Sequence, residues 1–361
     1  MAVVDLSANV RRHVDPSAPV PLRMMAAKAL VPLPPPDMIT ALFLLTSDPD
    51  EKVRTTAEDS ASKLPDRILS SALRDEEVSP PVLGWFLDRL AKQDVYAEML
   101  ILNPSTPDEA VARAASHCGT RSAEIISQNQ LRLLRHEDVV RQLCLNPSCG
   151  PALIDGLCDF CVRSGLVLAD VPQMRVARVR IFGPEAAEAP PDPGPTADEI
   201  IEEYAELADE NAPPLEEGKR LTLAQRIMKM SIAEKIKLAT KGNKEARSYL
   251  LRDSNKLVSV AVIRSPKITD GEVLAVANNR AAQDDVLRVV YGNRDWLKDY
   301  RVKLALTKNP KVPLPVAMKF LAQLRESEVK DLAKNKNVPS GIQLLARKMM
   351  EKKNAPKKEE K

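Results

Sequence analysis

Short apolar runs alternate with polar turns along most of this chain, and a recurring proline dipeptide marks the turns. Asp, Asn or Ser precedes proline at five of them, namely Asp48-Pro49, Asn103-Pro104, Asn146-Pro147, Ser265-Pro266 and Asn309-Pro310. Each copy follows one apolar run and precedes another. Asparagine can end a helix in the left-handed conformation and proline cannot continue one. The pattern therefore predicts many short helices.

Capping signals support the same prediction. Thr106 and Glu109 have the spacing of a capping box, in which each side chain accepts a hydrogen bond from the other residue's backbone N–H group. Pro107 suits the first position of the helix that follows. Thr269 and Glu272 repeat the capping-box spacing. We therefore predict an all-α chain with turns at the five proline dipeptides.

Two phrases repeat along the sequence. Residues 102–106 match residues 145–149 at an offset of 43, and residues 265–268 match residues 309–312 at an offset of 44. Spacing of this size resembles that of HEAT-like or leucine-rich-variant helical repeats. The block 229–247 resembles one in uncharacterised bacterial repeat proteins. The resemblance implies an α-solenoid of HEAT-like repeats but no activity.

Charge divides the chain into segments. Residues 220–361 contain 32 Lys and Arg against 15 Asp and Glu, a net +17, so residues 1–219 have a net −14. Residues 181–217 hold 12 acids and no base. The predicted organisation is an N-terminal helical-repeat domain at 1–170, an acidic proline-rich linker at 171–219, a basic C-terminal helical-repeat domain at 220–350 and a charged tail at 351–361.

Three patterns follow one another in the predicted linker. Apolar and basic residues alternate from 174 to 182, which predicts an isolated strand. Residues 185–195 are rich in Pro, Ala and acids, so they are predicted to be disordered. Between residues 198 and 211, Ile200, Tyr204 and Leu207 form one face of a predicted amphipathic helix.

The predicted linker helix has three possible environments. It could bind a groove on a partner protein, or it could associate weakly and in a salt-sensitive way with the chain's own basic repeats. It could also be a solvated spacer.

Four cysteines lie within 18 residues, at Cys144, Cys149, Cys158 and Cys161. A thiolate quartet could hold zinc or an iron–sulfur cluster, and these four would be its ligands. The repeat alignment favours a different interpretation, because Cys161 aligns with Cys118 at an apolar helix position. We therefore predict that Cys144, Cys158 and Cys161 are mostly buried, with no metal and no cofactor.

Aromatic residues lie among the cations of the basic domain. Arg294, Trp296 and Tyr300 share one short stretch, and such residue types contact the phosphates and bases of nucleic acids. Alternatively, the lysines form the solvated faces of helices and the aromatic rings fill the seams between them. These three residues join the apolar face of the linker helix as candidate partner-binding residues.

Composition and motifs limit the classes of function. No apolar run approaches the roughly 20 residues of a membrane span, and no secretory leader is recognisable, so five cysteines indicate a reducing cytoplasm. No metalloprotease, nucleophile-elbow, P-loop or dinucleotide motif occurs, and we predict no enzymatic activity. Helical repeats build long binding surfaces.

The predicted function is therefore a cytoplasmic protein-interaction scaffold or adaptor, with a protein partner of unknown identity. The alternative is nucleic-acid or polyanion binding by the basic domain. A regulatory module that binds metal through the cysteine cluster is a second alternative.

Overall fold

Helices account for all regular structure in the part of the chain that the computed structural model describes, residues 8–184, 194–213 and 215–354. Within these ranges the backbone forms α-helices and two short 3-10 helices but no strand. The prediction of an all-α fold is confirmed. In the same ranges, no helix combines the length and the apolarity that crossing a bilayer requires.

The chain divides into two compact units, residues 1–191 and 192–361. In the first unit the described helices are α1 (Ala8–Val14), α2 (Val20–Ala27), α3 (Pro35–Leu45), α4 (Glu51–Ser62), α5 (Asp66–Leu73), α6 (Pro80–Leu90), α7 (Asp94–Leu102), α8 (Asp108–Ala115), α9 (Thr120–Gln128), α10 (Gln130–Arg135), α11 (Glu137–Leu145), α12 (Pro151–Arg163) and α13 (Pro172–Phe182).

The second unit begins inside the segment predicted as a linker. Its described α-helices are α14 (Ala197–Glu203), α15 (Glu217–Lys229), α16 (Ile232–Lys241), α17 (Lys244–Leu250), α18 (Lys256–Ile263), α19 (Asp270–Asn278), α20 (Asp284–Gly292), α21 (Tyr300–Lys308), α22 (Leu314–Leu321), α23 (Glu326–Lys334) and α24 (Ser340–Asn354). The 3-10 helices are η1 (Ala205–Ala208) and η2 (Trp296–Lys298).

Caps and apolar spacing explain the individual helices, and α4 is an example. The Asp50 carboxylate accepts hydrogen bonds from the backbone N–H groups of Lys52 and Val53, which starts the helix. Val53, Ala57 and Ala61 follow at intervals of four residues and form its buried face.

Most helices pack on the second neighbour along the chain as well as on the next one. In the first unit α1 packs on α3, α2 on α4 and α6 on α8. In the second unit α16 packs on α18, α18 on α20 and α19 on α21. Within each unit, therefore, successive helices alternate between two layers with apolar residues between them. This is the packing expected of stacked helical repeats.

The asparagines of the recurring phrase are buried and join one turn to an earlier turn. Asn103 is only 4% exposed, and its backbone is extended (φ −70°, ψ 120°) instead of left-handed as the sequence suggested. Its amide Nδ2 donates to the carbonyl oxygens of Leu73 and Asp75, each at 3.0 Å. Its Oδ1 accepts from the backbone N–H of Ser105 at 3.0 Å. The side chain thus satisfies three backbone groups of two turns.

The same arrangement occurs at other turns. Asn146 donates to the carbonyl oxygens of Ala115 and Cys118, and Asn309 donates to those of Ala277 and Asn279. At these turns and at Asn103 the acceptors lie 28–32 residues earlier. Two α-helices lie between Asn103 or Asn309 and its acceptors, and three short ones between Asn146 and its acceptors. The sequence offset of 43–44 is longer and spans four α-helices from Asn103 to Asn146 and three from Ser265 to Asn309.

The local predictions from the sequence have different outcomes. The Thr269–Glu272 capping box is present, but no side chain caps α8, because the Thr106 hydroxyl donates to the Leu100 carbonyl instead. The strand predicted at 174–182 is wrong, since these residues lie in α13. Residues 185–193 of the segment predicted to be disordered, and 355–361 of the predicted tail, lie outside the described residues.

Candidate interaction surfaces

The apolar face of the predicted linker helix lies in the core of the second unit. Ile200 lies in α14, Leu207 lies in η1 and Tyr204 joins the two, and α14 packs on α16. Ile200 and Leu207 are fully buried and Tyr204 is 5% exposed. These three candidate partner-binding residues are therefore corrected from surface residues to core residues, because the basic repeats supply the apolar partner surface that they need.

Ion pairs surround this buried face. Asp198 pairs with Lys241 at 2.6 Å, Glu203 with Arg226 at 2.7 Å and Glu206 with Lys219 at 2.8 Å. All six side chains are at least one-third exposed, so solvent weakens each pair. We call residues 197–210 the acidic segment. It is therefore held mainly by apolar burial, and its negative charges complement the basic helices around it.

Arg247 forms the most buried of these contacts. Its side chain is fully buried, and its guanidinium pairs with Glu210 at 2.6 Å and with Glu272 at 2.9 Å. Burial alone would lower the pKa of Arg247, but hydrogen bonds to the two carboxylates outweigh it and raise the pKa. Burial likewise acts to raise the pKa of Glu272, and the hydrogen bond from Arg247 reverses this and lowers it. Arg247 thus ties the acidic segment to the start of α19.

The three candidates of the basic region have different environments. Arg294 is exposed. Trp296 is half-buried and packs against the apolar core of the second unit. The Tyr300 hydroxyl hydrogen-bonds to Glu328, and the guanidinium carbon of Arg325 lies 5.0 Å from the Tyr300 ring centroid. Both rings therefore contribute to packing, as the second interpretation of the sequence proposed.

All five cysteines are free thiols. Cys158 and Cys161 are fully buried, Cys149 is buried and Cys144 is partly exposed, so the prediction of burial holds less well for Cys144. In the described ranges, no three or more His, Cys, Asp or Glu side chains are grouped so that they could hold a metal ion.

Burial and one hydrogen bond shift the pKa values of these thiols. Burial raises the pKa of Cys161 to about 12 and that of Cys118 to about 11. The hydrogen bond between Cys144 and Cys158 raises the pKa of Cys144 and lowers that of Cys158. A thiol with a raised pKa stays protonated near neutral pH and is a poor nucleophile or metal ligand.

An aromatic cluster in the first unit was missed by the sequence analysis. The Trp85 ring of α6 stands edge-to-face against Phe43 of α3, with centroids 6.1 Å apart, and Arg89 lies 3.6 Å from the Trp85 ring centroid. Only the Trp85–Arg89 spacing of four residues is visible in the sequence. Phe43 joins the pair because α3 packs on α6.

One helix of the first unit exposes a continuous apolar face. Val176, Val179 and Phe182 of α13 follow at intervals of three residues and are 58%, 41% and 56% exposed. The opposite face, with Met174 and Ala177, packs on α12 and is buried.

Comparison of the chain with models of protein families, with curated proteins and with solved structures finds no match.

Proposed function

We propose that this protein is a non-catalytic scaffold or adaptor that recruits a partner protein through the apolar face of α13. The observation that carries this proposal is the exposure of Val176, Val179 and Phe182 on one side of a single helix. The outer helices of repeat arrays normally present a polar face to solvent. In α13 the buried and the exposed faces are both apolar, which is typical of a helix that packs on both sides.

The charge of α13 indicates what kind of partner fits. Arg175, Arg178 and Arg180 flank the exposed face, and residues 171–184 contain no acid. Arg180 pairs with Asp155 and Asp159 of α12, whereas Arg175 is exposed. A second copy of α13 would bring arginines together. An amphipathic helix with an apolar stripe and acidic flanks is the complementary partner.

Site-specific photo-cross-linking tests the proposal. A cross-linking residue at Val179, in cells that produce the protein natively, should capture a defined protein that the same residue at Gly156 of α12 does not capture. Gly156 is a matched control, because it is exposed on the neighbouring helix and a side chain there meets nothing within 4 Å. Phe182→Asp should abolish capture at Val179 without loss of helix content.

Either of two outcomes would contradict this function. One is equal capture at Val179 and Gly156, which indicates nonspecific contact. The other is capture that survives Phe182→Asp, which would mean that the apolar face does not contribute.

The remaining features of the proposal come from the sequence. HEAT-like repeat identity and a bacterial source rest on the repeat spacing and on the block 229–247. A cytoplasmic location is supported by five free cysteines. A measurement of thiol oxidation in cells would test the location, because exported protein should carry oxidised cysteines.

A further inference from the structure

Four loops of the second unit lie along one edge of its helix stack. They are residues 251–255, 279–283, 309–313 and 335–339. Gln283 donates to the carbonyl oxygen of Asp253 at 2.7 Å, and Asn309 donates to that of Asn279 at 3.0 Å. Arg280 donates to the carbonyl oxygen of Asn337. Hydrogen bonds therefore connect the loops into one edge, although they are far apart in sequence.

Every one of these loops adds an exposed cation to the edge. The cations are Arg252, Arg280, Lys311 and Lys336, and Lys256 follows directly after the first loop. The loops contain a single acid, Asp253, whose carboxylate pairs with Lys235 at 2.7 Å. We call this row of five cations the basic edge.

Two cations at the opposite ends of the helices have close acidic partners. Lys298 pairs with Asp295 at 2.5 Å, and Arg301 pairs with Asp299 at 2.8 Å. On the basic edge the corresponding pair, Lys311 with Asp284, is longer at 3.6 Å and similarly exposed. The longer distance leaves more of the positive potential of Lys311 at the basic edge.

The exposed side chains between the cations are small, and several of them are polar beside Ala281, Pro310 and Pro313. Ser254, Asn279 and Asn337 are exposed in these loops, and such residues commonly donate hydrogen bonds to phosphate oxygens. The large exposed apolar residues of this unit, such as Met318, lie on helices and not in the loops, and Leu314, 44% exposed, directly follows the third loop. A protein partner would require apolar or aromatic anchors there.

Spacing also matches a phosphate backbone. Packed helices lie about 8–10 Å apart, and Arg280 of the second loop reaches the Asn337 carbonyl oxygen of the fourth, so the loops form one continuous patch. A duplex carries one phosphate charge per roughly 1.7 Å of its axis, so several cations of such a patch can contact phosphates at once. From these observations we infer that the basic edge binds the phosphate backbone of duplex nucleic acid without reading its sequence. This site is separate from the apolar face of α13.

Fluorescence anisotropy with a labelled duplex of about 24 base pairs tests the inference on the full-length chain. The test variant is K256E/K336E, which reverses charges at the two ends of the basic edge. The matched control is K319E/K330E, which changes the net charge equally at exposed residues outside it. At about 50 mM salt we expect at least tenfold weaker binding for the test variant and less than about threefold for the control.

The salt dependence gives a second readout. The slope of log K against log salt should fall by roughly 1.8 in K256E/K336E, because two phosphate contacts are lost. Circular dichroism should show unchanged helix content in both variants.

Three outcomes would overturn the inference. The first is equal loss of affinity in the two variants. The second is wild-type protein that fails to bind the duplex. The third is tighter binding to heparin or to vesicles containing anionic lipid than to the duplex, which would assign the edge to another polyanion or to a membrane surface.

Discussion

In the sequence, α13 is the last described helix before the boundary between the units and α14 is the first after it. Both helices fall within the predicted linker, yet their environments are opposite. α13 is basic and leaves Val179 and Phe182 exposed, whereas α14 and η1 are acidic and bury Ile200 and Leu207. The difference follows from the neighbours. The acidic segment has basic, apolar helices beside it within its own unit, and α13 uses its smaller apolar face against α12.

The largest expected effect comes from removing the cation that holds the acidic segment. Arg247→Ala should destabilise the second unit by about 3–5 kcal/mol, because the largely buried Glu272 carboxylate would keep its charge and lose its cationic partner. Urea denaturation followed by Trp296 fluorescence measures this in a Trp85→Phe background, where only the second unit has a tryptophan. Arg288→Ala, at an exposed surface pair, is the control and should change stability by less than about 1 kcal/mol. Equal effects of the two substitutions would contradict the role given to Arg247.

The next largest loss of stability is expected at a buried apolar residue of the acidic segment, and an exposed apolar residue of α13 is its counterpart. Leu207→Ala should cost about 2–5 kcal/mol, because it leaves a cavity in a fully buried site. Val179→Ala should change the stability of the first unit by less than about 0.5 kcal/mol, because Val179 is exposed. Urea titrations measure both, with Leu207→Ala in the Trp85→Phe background and Val179→Ala in a Trp296→Phe background, where Trp85 reports on the first unit. A large loss of stability on Val179→Ala would show that the face of α13 is covered within the chain.

Acid should weaken the second unit through Glu272. Its folded-state pKa is lowered below 4.5, so the stability from this carboxylate is complete above the unfolded pKa and is lost as pH falls through the folded one. We expect the urea midpoint of the second unit to decline below about pH 4.5. Glu272→Gln should flatten this decline. An unchanged pH profile in that variant would show that other carboxylates cause it.

The smallest effect should come from the exposed ion pairs. Asp198→Asn breaks a pair whose side chains are 75% and 50% exposed, so the expected change in stability is under about 1 kcal/mol. Similarly, raising salt should leave α14 packed on α16, contrary to the salt-sensitive association expected from the sequence. Hydrogen exchange of the α14 amides at low and high salt measures this. Much faster exchange at high salt would instead support the salt-sensitive association.

Sequence patterns predicted the helices and turns well because their signals are local. Thr269 and Glu272 are three residues apart, and their capping box forms as expected. α13 was missed because its buried face consists of Met174 and Ala177 only, and the more visible alternation of valine and arginine has the period of a strand.

Contacts distant in sequence could not be predicted. The Asn103 amide acts on carbonyl groups 28 and 30 residues earlier. The basic edge likewise exists only because stacking brings four separate loops together. In the acidic segment, the apolar face was identified correctly, but its partner surface on α16 depends on tertiary packing.

The contacts of Arg247 have a practical consequence for dividing this protein into fragments. A fragment beginning at residue 220, where the positive charge begins, would lose Glu210 and leave a buried guanidinium with one carboxylate. It would also uncover the surface of α16 on which α14 packs, so we expect it to aggregate. A fragment beginning near residue 192 keeps both carboxylates that pair with Arg247. The compact unit thus begins well before the residue at which the sequence becomes basic.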